Sequence, residues 1–344
     1  MLKLFKPYMS WRARYYALKV LMSDQLAEGD WVKLFEHEFG KKFGLQNVVA
    51  VNSGTAALEL AYELAGIKEG DEVITPVLTC TATNLPLLHR KATIVFADID
   101  YDLNININDV VSKITDKTKA IVFVHFGGNN RGLAELLEIC GKRHITLIED
   151  AAQAIGSDFW GKADYTCVST QAIKTLTSGD GGFLICRDYN DYAIAKRLRW
   201  FGYDRDLKQK LGDTNLVEAG YKYHMNNISA AIGLGNLRSL DKVLAHKKEI
   251  ARIYESYGLF VHAWLAGGLT EAYVALRITG EMKDIEFGQH HFRNDQYTVF
   301  GGRQKLPIMD QLEGKYFFVP NHYGVTKKMA HKIGKFCKYG LPKN

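Results

Sequence analysis

A short turn early in the chain combines residue types that can bind an anion. Ser53, Gly54 and Thr55 lie between a predicted strand at residues 47–51 and a predicted helix at residues 56–65. Free backbone N–H groups and the positive end of a helix dipole attract negative charge, and a glycine lets a phosphate approach closely. The turn is therefore a candidate phosphate site, although these residues are also typical of an ordinary helix N-cap.

A carboxylate suited to chemistry follows the apolar segment at residues 145–148. Asp150 would stand at the carboxyl end of a parallel strand, where open α/β sheets bind their ligands. Glu149 would point to the opposite side of the chain, because side chains alternate along a strand. Asp150 could hold a proton on a ring nitrogen, or it could cap a strand–helix junction.

The segment at residues 169–182, STQAIKTLTSGDGG, places one lysine among apolar and hydroxyl side chains. An apolar setting around Lys174 favours the neutral amine, which is a nucleophile toward aldehydes. A surface lysine on a loop is the alternative, since the Gly-rich turn that follows is a weak signal by itself.

Together the three segments match the requirements of pyridoxal 5′-phosphate (PLP). The turn would grip the phosphate, Asp150 would keep the pyridine nitrogen protonated, and Lys174 would form the Schiff base. Other ligands explain the set less well, because the sequence contains no Walker G-x-x-x-x-G-K-[ST], no G-x-G-x-x-G after a strand and no G-x-S-x-G.

Alternating strands and helices must position these groups. Apolar and β-branched runs predict strands at residues 47–51, 72–76, 92–96, 119–123, 146–148, 165–169 and 182–186, and helices at residues 56–65, 83–89 and 133–143. Such strands are too apolar to expose one face, so we predict an α/β fold with a mostly parallel sheet covered by helices on both faces.

The pattern changes after about residue 230. A helix at residues 228–257, a strand at 273–278 and a helix at 327–336 are predicted there. We expect a large α/β domain with an N-terminal helical segment at residues 1–230, and a small α+β domain at residues 231–344.

Composition narrows the class of partner. The 44 Lys and Arg residues exceed the 38 Asp and Glu residues by 6, a mild excess that suits a small anionic ligand better than a nucleic acid. The five cysteines form no C-x-x-C pair, which predicts reduced thiols and no metal site. No leader pattern or stretch of roughly 20 apolar residues is present, so we expect a soluble cytoplasmic protein without a membrane partner.

The sequence resembles the DegT/DnrJ/EryC1/StrS sugar aminotransferases, which are PLP enzymes of fold-type I (aspartate aminotransferase-like). The resemblance covers about residues 23–240 and continues more weakly to the end. It rests on an ordered series of segments: NSGTAAL, TPVLTCTATN, FADID, VHFGG, IEDAAQAIG, STQAIKTLTSGDGG, GYKYHMNNISAAIG and LPIMDQLEGK.

The resemblance implies a role for each matching residue. Lys174 would bind the cofactor and carry the proton between cofactor and sugar, and Asp150 would pair with the pyridine nitrogen. It implies a homodimer with shared active sites, since a residue of the G-Y-x-Y segment reaches the partner. The other implied cofactor contacts are Ser53, Gly54, Thr55 and Ser169 at the phosphate, Gln153 at the phenolic oxygen, Cys80 at the ring face and Lys222 at the phosphate.

Three positions depart from the family pattern. Lys222 and His224 stand where Asn and Arg are usual, and Cys80 stands where an aromatic side chain commonly stacks on the ring. Lys222 can still meet a phosphate as a point charge, but with different hydrogen-bond geometry. The smaller Cys80 side chain provides less stacking.

The reaction that the resemblance implies is a transamination in two halves. L-glutamate converts PLP to pyridoxamine 5′-phosphate, and the amino group then passes to a nucleotide-linked 4-keto-6-deoxy sugar. The product is a 4-amino sugar nucleotide of the kind used in polysaccharide biosynthesis. The sequence leaves open the nucleotide (GDP, dTDP or UDP) and amination at C3 rather than C4.

Histidines and an arginine are the candidate substrate contacts. The polar cluster QHHFRND at residues 289–295 is a hypothetical sugar-nucleotide site, with Arg293 facing the diphosphate and His291 beside it. His125 and His224 are further candidates to line the pocket. A solvated loop with packing histidines, and a satisfied core histidine at His125, are the alternatives.

Other functions also fit parts of this pattern. A PLP-dependent sugar 3-dehydratase would carry a histidine in place of the Schiff-base lysine, so Lys174 argues against it. A non-catalytic regulatory subunit with the PLP fold is compatible with Lys222, His224 and Cys80, whereas the intact Asp150 and Lys174 argue for turnover.

Overall fold

A computed structural model describes residues 1–212, 215–216, 218–259, 272–276, 285–288 and 291–339. The strands within these ranges are β1 (Val48–Val51), β2 (Glu72–Pro76), β3 (Thr93–Ala97), β4 (Thr118–Val124), β5 (Thr146–Asp150), β6 (Tyr165–Ser169), β7 (Gly182–Cys186), β8 (Ala272–Leu276) and β9 (Tyr316–Pro320). The helices are α1 (Trp11–Leu21), α2 (Asp30–Phe43), α3 (Gly54–Leu64), α4 (Thr81–His89), α5 (Ile107–Lys113), α6 (Leu133–Arg143), α7 (Tyr189–Leu198), α8 (Arg205–Leu211), α9 (Asn227–Leu237), α10 (Leu240–Ser256), α11 (Pro307–Leu312) and α12 (Lys327–Tyr339).

Seven strands form one sheet in the order β1-β7-β6-β5-β4-β2-β3. Strands β3, β2, β4, β5 and β6 run parallel to one another, whereas β7 is antiparallel to both β6 and β1. The predicted α/β fold with a mostly parallel sheet is confirmed. Because parallel strands end at the same edge, the carboxyl ends of β1, β2, β4, β5 and β6 share one edge of the sheet.

Helices cover both faces of this sheet. Most positions of the central strands are buried, which explains their nearly continuous apolar sequence. One core cluster lies between the sheet and α3, and a second lies between the sheet and α2 and α9. The site-bearing edge is thus supported from both sides by packed helices.

A second, two-stranded sheet pairs β8 with β9 in antiparallel register. A separate core cluster joins β9 to α10 and α12 through apolar residues such as Ile250, Val319 and Ile333. The predicted strand at residues 273–278 corresponds to β8, although residues 277–278 lie outside the described ranges. The predicted division into domains at residue 230 stays a prediction.

The single helix predicted at residues 228–257 is wrong, because the chain forms α9 and α10 with a break at Arg238 and Ser239. Helix α9 is buried along most of its length and packs so closely on α1 that a Cβ on Gly235 would lie 2.4 Å from the Ala13 Cα atom. Helix α10 is amphipathic and packs on α12 instead. The break therefore lies where the helical chain changes its packing partner. The spacing of apolar residues in the sequence does not reveal such a change.

A buried arginine ties the edge strand β1 to two helices. Arg199, at the end of α7, is 3% exposed. Its Nη1 donates to the Glu36 carboxylate of α2 and to the Ala50 carbonyl of β1, both at 2.6 Å, and its Nη2 donates to Glu28 at 2.9 Å. The planar guanidinium holds three acceptors in one fixed geometry.

Replacement of Arg199 by Lys removes this fork, since one ammonium cannot reach all three acceptors. We expect the free energy of unfolding to fall by about 3 kcal/mol, because buried carboxylates lose their partner. Chemical denaturation measures this. The matched control is Arg187→Lys, whose side chain is 67% exposed beside Asp164 and should cost about 1 kcal/mol or less. Equal losses in the two variants would contradict the assignment.

Candidate active site

The phosphate turn predicted at residues 53–55 lies against the end of another strand. Ser53 caps α3 by accepting a hydrogen bond from the Ala56 N–H at 3.0 Å. A Cβ added to Gly54 would lie 2.8 Å from the Ser169 Cβ atom at the end of β6. The structure therefore brings together Ser53, Gly54 and Ser169, which are about a hundred residues apart in sequence. Thr55 lies exposed in the first turn of α3.

Gly182, the first residue of β7, allows this contact. It pairs with Val51 on one side and with Ser169 on the other. A Cβ at Gly182 would lie 2.4 Å from the Val168 carbonyl oxygen and 2.9 Å from the Gly54 nitrogen. Only glycine fits between these backbones, so the helix N-terminus and the Ser169 hydroxyl share one small surface that can hold an anion.

Asp150 ends β5 at the same edge and is 5% exposed. Its Oδ2 accepts from the Thr83 hydroxyl at 2.7 Å, and its Oδ1 accepts from the Ala152 N–H at 3.1 Å. Thr83 is in turn 2.8 Å from the Thr79 hydroxyl. Sequence reasoning missed Thr83; the run of hydroxyl residues in TCTAT was the available signal.

The lysine segment forms a closed loop between β6 and β7. The Thr170 N–H donates to the Gly181 carbonyl at 2.9 Å, the Ser178 N–H donates to the Thr170 carbonyl at 2.8 Å, and the two hydroxyls lie 2.6 Å apart. Lys174 is half-buried within this loop. A closed base holds the loop at the edge that also carries Ser169 and Gly182.

The residue predicted at the ring face, Cys80, has a small, exposed thiol. Cys80 is the N-cap residue of α4 and is exposed, whereas Cys140, Cys167 and Cys186 are buried. Burial raises the pKa of the Cys140 thiol to about 12, which keeps it unreactive. Cys80 directly follows Thr79, so it shares the edge with the hydroxyl chain that reaches Asp150.

Gln153 and His291 meet although 138 residues separate them. The Gln153 Nε2 lies 2.9 Å from the His291 Nε2, and the Gln153 Oε1 accepts from the Gly127 N–H at 2.6 Å. Both side chains are buried, at 8% and 7% exposure. The other histidine of this predicted cluster, His290, lies outside the described residues together with Gln289.

The expectation that His125 lines the pocket is contradicted by its position. His125 is fully buried and its Nε2 lies 2.7 Å from the Glu149 carboxylate, on the side of the sheet opposite to Asp150. The alternative of a core histidine fits this arrangement, although its Nδ1 has no hydrogen-bond partner.

Glu149 accepts an unusual number of hydrogen bonds. The backbone N–H groups of Gly161, Lys162 and Ala163 donate to it at 2.6–2.9 Å, in addition to His125. Burial alone would raise the pKa of Glu149, but these donors together hold it below its usual value. Glu149 thus anchors the loop before β6.

The expectation that Arg293 faces a diphosphate is also wrong in this arrangement. Arg293 is 1% exposed, and its donors are taken up within the protein. The guanidinium contacts Asp295 at 2.6 and 2.7 Å, Asp310 at 2.5 Å, Glu313 at 3.4 Å and the Gln304 carbonyl at 3.0 Å. A guanidinium whose five donors are engaged has none left for a ligand.

Lys222 and His224 lie on a short extended segment beside the phosphate turn of their own chain. The Asn52 side chain donates to the Lys222 carbonyl at 3.2 Å, and His224 forms a bridge with Val51. Lys222 is exposed. His224 packs near Trp200, and burial, with help from nearby cations, lowers its pKa.

The tyrosines on either side of Lys222 hold this segment on α3. Tyr221 and Tyr223 stack with ring centroids 4.8 Å apart and an interplanar angle of 2°. Tyr221 donates to Glu63 at 3.0 Å and Tyr223 donates to Glu59, one helical turn away. Because side chains alternate along an extended chain, Lys222 points away from α3.

Within the described ranges, no cluster of His, Cys, Asp and Glu suited to a metal ion occurs. Among the same residues no helix is long and apolar enough to cross a bilayer.

Comparison with known proteins gives a consistent result. The profile of the DegT/DnrJ/EryC1/StrS aminotransferase family matches residues 10–257. GDP-perosamine synthase of Vibrio cholerae is 32% identical over 338 residues, which are 92% of this chain and 90% of that protein. GDP-perosamine synthase of Escherichia coli O157:H7 is 34% identical over 258 residues, covering 73% and 70% of the two chains. The crystal structure of sugar aminotransferase CalS13 from Micromonospora echinospora superposes with a TM-score of 0.91 at 29% identity, covering 99% of this chain and all of that one.

Glu149→Gln should destabilise the fold, because an amide nitrogen would face backbone donors. We expect a loss of about 2 kcal/mol in the free energy of unfolding near neutral pH. Since the folded-state pKa of Glu149 lies below its unfolded value, its contribution is complete above the unfolded pKa and disappears as the pH falls through the folded one. Urea denaturation of both proteins across the acidic range should show their difference narrowing.

The control for this experiment is Glu138→Gln, whose exposed carboxylate pairs with Lys142 on α6. Its stability should stay close to that of the wild type at every pH. A Glu149→Gln difference that did not change with pH would show that the carboxylate charge is not what holds the loop.

Gly54→Ala should weaken cofactor binding, because the new Cβ would overlap Ser169 and push the turn away from it. Overpacking strain of about 1–2 kcal/mol corresponds to roughly a tenfold rise in the Kd for PLP. Titration followed by protein fluorescence measures the Kd. Gly141→Ala on α6, where no atom lies within 4 Å of the new Cβ, is the matched control and should bind PLP as the wild type does. Unchanged affinity in Gly54→Ala would argue against the phosphate assignment.

Proposed function

The chain belongs to the DegT/DnrJ/EryC1/StrS family and is a PLP-dependent nucleotide-sugar aminotransferase, and we propose that it transfers the amino group of L-glutamate to a nucleotide-linked 4-keto-6-deoxy sugar. The product of this reaction is a 4-amino sugar nucleotide, and the glutamate leaves as 2-oxoglutarate. Two relatives named GDP-perosamine synthase, and one named UDP-4-amino-4,6-dideoxy-N-acetyl-beta-L-altrosamine transaminase, support a 4-amino sugar nucleotide. Which nucleotide the sugar carries is left to experiment.

The observation that carries the proposal is the meeting of Gly54, Ser169 and Gly182 at the edge that also bears Asp150 and the loop of Lys174. The N–H groups of the α3 N-terminus and the Ser169 hydroxyl, which can meet because Gly54 has no Cβ, suit the phosphate of PLP. A carboxylate, a lysine and a hydroxyl cradle are the donor set that this cofactor needs.

Bound PLP supplies an aldehyde that joins an amine and a ring that accepts the electron pair of a broken C–H bond. Lys174 would hold the cofactor covalently, move the proton from the donor carbon to C4′ of the cofactor in the first half, and move a proton from C4′ to the sugar carbon in the second. Asp150 would hold the proton on the ring nitrogen, with Thr83 and Ala152 fixing its carboxylate. The remaining contacts we assign to the cofactor are Ser53, Thr55, Gln153 and Ser169, with Cys80 at the ring face.

Lys222 and His224 would serve the site of a second copy of the chain. Lys222 is exposed and directed away from α3 by the two anchored tyrosines, so it could meet an anion outside its own protomer. This supports the proposed homodimer with shared sites. His224 would accompany it on the substrate side.

The protein incubated with PLP and then separated from unbound PLP should keep a yellow Schiff-base band, and L-glutamate should remove that band. Lys174→Ala should lack the Schiff-base band and should not respond to glutamate, because its side chain has no amine to join the aldehyde. An absorbance titration measures both steps. Lys142→Ala, an exposed lysine on α6, is the control and should behave as the wild type does.

Failure of the wild type to turn yellow would overturn the proposed function and favour the regulatory-subunit alternative. A yellow protein that responds to another amino donor and not to glutamate would overturn the donor alone. If glutamate removes the colour, 4-keto sugar nucleotides carrying GDP, dTDP or UDP, each added separately, should restore it when they are substrates.

A further inference from the structure

Contacts with Gly127 and His291 fix the orientation of the Gln153 amide. Its Oε1 lies 2.6 Å from the backbone nitrogen of Gly127, which can only donate. The oxygen of the amide must therefore face Gly127, and the NH₂ group must face His291, whose Nε2 is 2.9 Å away. The Gly127 backbone reaches this position with a φ of 63°, in the left-handed region that glycine adopts readily.

This orientation also fixes the chemical state of His291. Since the Gln153 nitrogen donates, the His291 Nε2 must accept, so it carries no proton. The ring proton of the neutral imidazole then sits on Nδ1. A ring protonated on both nitrogens would place two donors against each other and break the contact.

The His291 ring is held in place by packing and by its own backbone. The rings of Phe126 and Phe318 flank it with centroids 5.8 and 6.0 Å away, and the Tyr316 hydroxyl donates to the His291 carbonyl at 2.7 Å. A residue so enclosed, at 7% exposure, cannot move freely to follow the amide.

The following residues fasten His291 to the sheet edge. The Asn294 N–H donates to the Val77 carbonyl at 2.7 Å, and its side chain donates to the Thr79 carbonyl at 2.8 Å. Arg293 locks the same segment through Asp295. The imidazole is therefore placed against Gln153 by ring packing and by contacts of its backbone segment, in addition to the hydrogen bond with the amide.

We propose that His291 is a positioning residue that acts through Gln153 rather than a contact for the sugar nucleotide. By accepting one N–H of the amide, the His291 Nε2 excludes the flipped amide and keeps the oxygen on Gly127 and the NH₂ group on the side of His291. This inference rests on the proposed function, in which Gln153 meets the phenolic oxygen of PLP. The flipped amide would instead oppose two oxygen atoms.

The chemical consequence concerns the proton on the lysine nitrogen joined to the cofactor. A hydrogen bond donated to the phenolic oxygen draws charge from it and weakens its hold on that neighbouring proton. With Gln153 oriented, the proton leaves at lower pH. Without the orientation, it leaves at higher pH, and the yellow colour persists further into the alkaline range.

A pair of variants separates positioning from packing. His291→Gln retains an oxygen acceptor near the position of Nε2, and His291→Leu fills the space without an acceptor. We expect the pH of the colour change to rise by about one unit in His291→Leu, the scale of one hydrogen bond to a charged acceptor, and to stay near the wild-type value in His291→Gln. Spectrophotometric pH titration of the PLP-loaded proteins measures it.

The double variant tests the route of the effect. Gln153→Leu alone should raise the pH of the colour change, and adding His291→Leu to it should produce no further rise. The proposal would be overturned if the two single substitutions shifted the pH of the colour change additively in the double variant. It would also be overturned if His291→Leu changed colour at the same pH as the wild type. Equal shifts in His291→Leu and His291→Gln would indicate packing alone and would also overturn it.

A measurement without cofactor makes the two proposals distinguishable. In the cofactor-free protein with ¹⁵N-labelled histidine, the signal missing from His291→Gln identifies His291, and its ¹⁵N shifts should show a neutral ring protonated on Nδ1. A proton on Nε2 would overturn the orientation of Gln153. If this tautomer is found but no yellow colour forms with PLP, the proposed function fails, and so does the part of the inference that concerns the cofactor.

Discussion

The candidate site depends on how closely three backbones approach at the start of β7. Because β7 runs antiparallel to both β1 and β6, those two strands are parallel to each other and end at the same edge. Gly182 lies between their ends with no room for a Cβ. The α3 N-terminus therefore lies directly against Ser169, and a helix end and a strand end form the surface that we propose binds the phosphate.

The adjacent carboxylates of Glu149 and Asp150 lie on opposite faces of the sheet, because side chains alternate along β5. Glu149 faces one side of the sheet, where three backbone N–H groups and His125 consume its acceptor capacity. Asp150 faces the other side and, among the described residues, its carboxylate accepts from the Thr83 hydroxyl and the Ala152 N–H. This second carboxylate is the one that we propose meets the cofactor.

In the segment that contains His291 and Arg293, ion pairs hold the chain in place beside the sheet. A buried arginine without a charged partner would destabilise the fold, because its guanidinium would lose its hydration. Here three carboxylates form ion pairs with Arg293. Its effect is to hold the chain that carries His291 beside the end of β2. Arg293, whose residue type is common in phosphate sites, therefore helps to position the His291 ring that contacts Gln153.

The elements were largely predictable because their signals are local. Strand β2 and helix α6 have the predicted bounds, and the strand-end position of Asp150 followed from an apolar run followed by acidic residues. The continuous helix at residues 228–257 was predicted wrongly, because α9 and α10 are both helical and differ only in what they pack against. Periodicity reports a buried face and carries no information about which neighbour covers it.

The sequence alone determined the α/β class, the order of turn, carboxylate and lysine, and the family resemblance. These depend on residue types at short spacings, where backbone geometry dictates the outcome. Only the tertiary structure decided that Arg293 is bound by carboxylates, that His125 forms a hydrogen bond with Glu149 and that His291 forms one with Gln153. A hydrogen bond acts over about 3 Å, so partners as far apart in sequence as residues 153 and 291 are set by how the elements pack.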